Sequence, residues 1–169
     1  MDVVRRDLNL SSNIHTVIHR GKPQYRLKVT GMDFATLERL GWQPRNDVTR
    51  GYPRINEHRD FIRAYVEIHS SIDIVTIKKR GRLPYRQPRL RIYGNMQFLT
   101  ELTEVLATEI GINVMKVQQS TRASEVSGTL YYQSRKDLKA ILDYLYRPPL
   151  EYFDREHYDR YREVMGLFA

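Results

Sequence analysis

The chain of 169 residues is long enough to bury a core of its own, and with 41% hydrophobic and 28% charged residues it reads as folded rather than disordered. It has no cysteine, which excludes disulfides and thiolate metal sites and accords with a reducing, cytoplasmic setting; no apolar run approaches the length of a bilayer span. The formal net charge of +8 excludes little but points toward polyanions, nucleic acid first among them.

In chain order, Ile14–Arg20 and Gln24–Thr30 are β-rich runs, and Gly21-Lys22-Pro23 between them predicts a hairpin turn. A helix is expected next, capped by Asp33, with Phe34, Leu37 and Leu40 on one face and Gly41 at its end. Residues 43–56, rich in Pro, Gly, Arg and Asn, read as a linker. A second helix is expected over 57–69, running straight into a strand over 72–80. Gly81-Arg82-Leu83-Pro84 then predicts a turn into a strand over 87–93. The spacing of Phe98, Leu99, Leu102, Val105, Leu106 and Ile110 predicts an amphipathic helix over 96–110, ended by Gly111. Strands over 112–118 and 126–132 follow, then a helix over 135–146 stopped by Pro148-Pro149.

From residue 57 the expected order is α-β-β-α-β-β-α, and the leading segment, β-β-α, matches its last part. The hairpin-plus-helix patterns of 13–42 and 113–146 can be superposed, with Asp33, Phe34 and Leu37 over Asp137, Leu138 and Ile141. The expected organisation is therefore a partial β-β-α repeat over 1–42, a linker over 43–56, one complete unit over 57–147 and a helical tail over 148–169. The first helix and hairpin of the leading repeat would fall before Met1.

Charge is distributed unevenly. Between Lys78 and Arg91 there are seven basic residues and no acid. On the strand there, Gln87, Arg89, Arg91 and Tyr93 alternate with Pro88, Leu90 and Ile92, which gives one polar, basic face and one apolar face. An antiparallel ribbon with such a face fits the major groove of DNA. Lys78, Lys79, Arg80, Arg82 and Arg86 around the turn are candidates for gripping phosphates, while Arg89 and Arg91 are candidates for reaching base edges. Lys116 and Gln118 extend the expected surface, as do Arg26 and Lys28 in the leading hairpin. An ordinary solvated face would mix both signs of charge.

The run Phe61-Ile62-Arg63-Ala64-Tyr65-Val66-Glu67-Ile68-His69-Ser70-Ser71 resembles the signature of the LAGLIDADG homing endonucleases. Ala64 stands where that family has glycine, Glu67 at its first acid, His69 at its second acid and Ser70 at its closing glycine. The resemblance implies an α+β LAGLIDADG-like unit with an antiparallel DNA-binding sheet, and double-stranded DNA as partner. It also implies that two signature helices pack side by side, so one complete unit suggests a homodimer joined through Ala64 and Ile68. In the family the second acid binds catalytic metal. Glu67 and His69 are thus the catalytic candidates, and magnesium would be the cofactor only if cleavage survives. A neutral imidazole is a poor ligand for magnesium, so His69 implies a DNA-binding protein with weak or lost nuclease activity. The tail makes the same point, because Arg155 matches a family arginine while Glu156 stands where a lysine is usual. An active site-specific endonuclease and a protein-interaction remnant without DNA binding are the competing readings.

Overall fold

The structure, a computed structural model, describes residues 14–19, 22–27, 35, 38–39, 43, 49–119, 126–150 and 153–168. It divides into two compact units, Met1–Trp42 and Gln43–Ala169.

In the first unit β1 (Ile14–His19) pairs antiparallel with β2 (Lys22–Leu27). The register ends at His19 opposite Lys22, so Lys22 and Pro23 lie inside β2 rather than in the expected turn. The expected helix cap at Asp33, with Phe34, Leu37 and Leu40 inward, lies outside the described residues, as does Lys28. Arg26 belongs to β2, opposite His15.

The second unit runs α1 (His58–His69), β3 (Ser70–Ile77), β4 (Tyr85–Asn95), α2 (Met96–Ile110), β5 (Gln118–Gln119), β6 (Ser127–Tyr132), α3 (Arg135–Tyr146) and α4 (Arg155–Gly166). Its sheet is antiparallel, in the order β3-β4-β6-β5. The alternation read from β4 is realised: Pro88, Leu90 and Ile92 are buried, and the residues between them are not. Leu90 and Ile92 meet Ile72, Leu130 and Tyr132 across the ladders, and helices α1 to α3 close over that face with Ile62, Val66, Leu99, Leu102, Leu106, Leu138, Ile141 and Leu142.

Local chemistry sets the helix limits. Asn95 caps α2 by accepting from the Gln97 amide at 2.8 Å, and Gly111 closes it in the left-handed region at φ 67°, its N–H reaching Ala107 O. Ser134 and Asp154 cap α3 and α4 in the same way as Asn95. The register of β3 with β4 is centred on Gly81, whose φ of 74° suits glycine alone at low cost.

One expected strand is shortened. Among the described residues only Gln118–Gln119 pairs with β6 from this side, and residues 112–117 form no strand ladder. Ile112 and Val117 are buried in the core instead, and the Met115 amide donates to Thr103 Oγ1 of α2 at 2.9 Å. The segment is thus tied to the helix rather than to the sheet. The stretch before α1 also lies against the unit. Tyr52 packs on Phe61 and Phe98, and its amide donates to the Glu101 carboxylate. Among the described residues no helix is long and apolar enough to cross a membrane.

Candidate nucleic-acid interface

The face of the sheet opposite the helices is built by side chains that alternate with the core. On β3 these are Ser71, Asp73 and Val75, on β4 Gln87, Arg89, Arg91 and Tyr93, and on β6 Thr129 and Tyr131. Gln118 of β5 lies opposite Thr129, which places it at the far margin of the same face. That face is mainly polar and aromatic across the four strands, with Val75 beside Gln87 and with Thr129 buried. The expected positions of Gln87, Arg89, Arg91 and Gln118 agree with this geometry. Lys116 is exposed but precedes the paired part of β5.

The electrostatics of that surface differ from a bare basic patch. Asp73 stands directly opposite Arg89 and accepts two hydrogen bonds from it, Nε to Oδ1 at 3.1 Å and Nη2 to Oδ2 at 2.7 Å. Arg91 Nη2 adds a third, to Oδ2 at 3.0 Å. The hydrogen bonds from Arg89, with the charge of both guanidiniums, hold the Asp73 carboxyl below its ordinary range. Arg86 is committed elsewhere, to Glu163 of α4 at 3.1 Å, and the Gln87 amide donates to the Gln133 carbonyl at 3.3 Å. The acid-free run considered by itself does not reveal that acids from outside it neutralise part of its charge.

Around the turn the balance reverses. Lys78, Arg80 and Arg82 are exposed, and among the described residues no acid forms an ion pair with them. Lys79 lies 6.0 Å from the Tyr85 ring centroid. The basic stretch therefore has two parts: an open cluster at the hairpin tip and a held cluster on the strands.

The end of α1 separates the two catalytic candidates. Being two residues apart on a helix, Glu67 and His69 point to nearly opposite sides. Glu67 turns toward Tyr146 of α3 and Asp154 ahead of α4, where burial raises its pKa while the Asp154 backbone, Arg63 and Tyr146 offset part of that rise. Its Oε1 and the Tyr146 hydroxyl are both buried and, among the described residues, neither has a partner in hydrogen-bonding geometry. His69 instead lies against the Tyr65 ring, with centroids 4.7 Å apart, at a cavity of about 570 Å³ also lined by Arg50, Tyr93, Asn95 and Phe98. Burial pushes the Tyr65 hydroxyl up to about 12, and it donates to Tyr93 O at 2.9 Å.

Magnesium needs several hard oxygen ligands around one point. Here the two candidates are a carboxylate whose pKa burial raises and an imidazole, and among the described residues no three His, Asp or Glu side chains converge. Glu67 and His69 by themselves do not supply that ligand set.

Ala64 and Ile68 share the side of α1 away from the buried Ile62, Arg63 and Val66, and Ile68 is 75% exposed. Arg63 is buried at the other side, where its guanidinium meets Asp60 at 3.1 Å and the Leu145 carbonyl at 3.4 Å, fastening α1 to the end of α3. In the tail, Arg155 and Glu156 are exposed in the first turn of α4. The aromatic residues behind them pack: Tyr161 stacks on Tyr146 with centroids 4.9 Å apart, and Val164 is fully buried.

The fold of this chain is the α+β fold of the LAGLIDADG homing endonucleases. Among solved structures similar to it is the homing endonuclease I-TnaI, with a TM-score of 0.51 and 14% identity over 68% of this chain and 74% of that one. The group I intron-encoded homing endonuclease I-CeuI, complexed with DNA, gives a TM-score of 0.54 and 12% identity, with 66% of this chain and 54% of that one covered. The meganuclease I-SmaMI bound to uncleavable DNA gives 0.50 and 14% identity, with 68% and 38% covered. The matched stretch thus spans about half of the second chain and less of the third. At these identities the likeness shows the fold alone. Neither a protein-family model nor a curated protein matches the sequence.

Proposed function

We propose that this chain is a double-stranded DNA-binding protein of homing-endonuclease descent, with weak or lost magnesium-dependent cleavage. The observation that carries the reading is the division of the sheet into an apolar face under the helices and an open face bearing Gln87, Arg89, Arg91 and Gln118. A twisted antiparallel sheet of that kind fits the major groove, with base-edge donors on its surface. The exposed cations Lys78, Arg80 and Arg82 at the hairpin tip would meet phosphates. Lys116 would widen the footprint, and Arg26 and Lys28 are further candidates for contact with DNA. The loss of cleavage is supported by the imidazole at the position of the family's second acid. The exposed Ala64–Ile68 side of α1 supports a homodimer, in which two units present their sheets to one duplex.

The test is titration of labelled duplex DNA against the protein at several salt concentrations, followed by incubation of a plasmid library with magnesium. Tight, salt-dependent binding without strand breaks is expected. Specific double-strand breaks abolished by His69→Ala would instead establish an active endonuclease, and no binding would leave the protein-interaction reading.

A further inference from the structure

We propose that Asp73 determines the DNA specificity of this sheet by holding Arg89 and Arg91 as one preset donor array and keeping both from phosphate-only contact. The inference rests on the DNA-binding reading and assigns a role to a residue that forms no part of the basic run.

The geometry carries the argument. Asp73 is on β3, and the two arginines are on β4, one directly opposite and one two residues further on. All three side chains are close to one-third exposed, so the cluster sits at the surface and a ligand can reach it. Arg89 engages Asp73 side-on through Nε and Nη2, which leaves Nη1 as its outward donor. Arg91 gives Nη2 to the same carboxylate, and its Nε is buried without a partner, so its outward donors are also at the end of the fork. A free arginine samples many rotamers and takes any phosphate it meets. These two have already lost that freedom. Their remaining N–H groups point from a fixed position on the sheet, which suits the O6 and N7 acceptors of guanine in the major groove.

Charge works in the same direction. The carboxylate reduces the cluster from two net positive charges to one, and it repels any phosphate that approaches the arginines from its side. Base edges carry no net charge and escape that penalty. At the hairpin tip no acid among the described residues forms an ion pair with Lys78, Arg80 or Arg82, so no such filter acts there. Asp73 therefore separates the two tasks of the basic stretch, gripping at the tip and reading on the strands. Because the arginines hold the Asp73 carboxyl below its ordinary range, the filter stays charged throughout neutral pH.

The experiment compares wild type with Asp73→Asn, a substitution of equal shape, and Asp73→Glu, which keeps the charge. A duplex enriched by wild type from a random pool and the random pool itself are the two probes, titrated at several salt concentrations. Asp73→Asn is expected to bind the random pool more tightly, and to lose about tenfold in preference for the enriched duplex, in the range of one good base contact. Its salt dependence should steepen by about 0.9 for each arginine freed toward a phosphate. Asp73→Glu should retain most of the preference. An unchanged preference and slope in Asp73→Asn would overturn the proposal, as would an equal loss on both probes, which marks a merely structural residue. Failure of every protein to bind either probe would remove the DNA reading and this one with it, whereas binding with an unchanged preference removes this one alone.

Discussion

Replacing Lys78, Arg80 and Arg82 together by alanine separates phosphate gripping from everything else the sheet does. All three are exposed at the hairpin centred on Gly81, and among the described residues no acid pairs with them. Their removal therefore breaks no ion pair among the described residues, and unfolding free energy should change by less than about 0.5 kcal/mol. Binding should change in a specific manner. Each phosphate neutralised by a cation contributes about 0.9 to the slope of log K against log salt, so the triple variant should show a slope flatter by about 2.7. Between 50 and 200 mM salt this amounts to roughly a fortyfold difference in how much affinity wild type and variant lose. Fluorescence anisotropy with a labelled duplex over that range measures both slopes, and thermal melting controls for folding. Preference between duplex sequences should remain, because the strand cluster at Arg89 and Arg91 is untouched. A variant with the wild-type slope would refute the assignment of the tip to phosphates, and one that lost sequence preference would refute the division of labour.

Three further outcomes follow from the packing. Glu67→Gln should raise the melting temperature at neutral pH by a few degrees, because a carboxylate whose charged form burial disfavours becomes a neutral amide. Because burial raises the Glu67 pKa, the native state disfavours its charged form; the cost is absent below the ordinary carboxylate value and grows as pH rises from there through the folded value, so the gain should vanish in acid. Gly94→Ala should destabilise by about 1–3 kcal/mol, since its Cβ would overlap the Tyr65 hydroxyl, and an unchanged melting temperature would show that Tyr65 moves freely. Light scattering should give a dimer for wild type and a monomer for Ala64→Arg, and a wild-type monomer at micromolar concentration with and without DNA would remove the proposed α1 interface.

The fold is legible in the sequence where the pattern is local. The apolar spacing of α2 and its Gly111 stop predict Met96–Ile110, and Arg135–Tyr146 follows from Leu138, Ile141, Leu142 and Leu145 in the same way. The two faces of β4 can be read from simple alternation. Features that depend on register are not legible. A turn centred on Gly81–Pro84 would set Asp73 opposite Ile92 on the buried face. The actual centre at Gly81 sets it opposite Arg89, and a slip of an odd number of residues exchanges the faces. Hence the carboxylate at the middle of the open face is invisible to a reading of composition. Residues 112–117 look like a strand because Ile112, Val114 and Val117 are β-branched; tertiary contact with α2 decides their fate. The split between Glu67 and His69 follows from helical geometry, but which side faces Tyr146 depends on how α3 and α4 pack.

The most direct test of the central claim is enrichment of duplexes from a random pool by the purified protein, followed by footprinting of the enriched duplex in magnesium. The account predicts a recovered consensus, protection of a continuous window from the major-groove side and intact strands throughout. A pool that returns no consensus and shows no protected window, at low salt as at physiological salt, would contradict it.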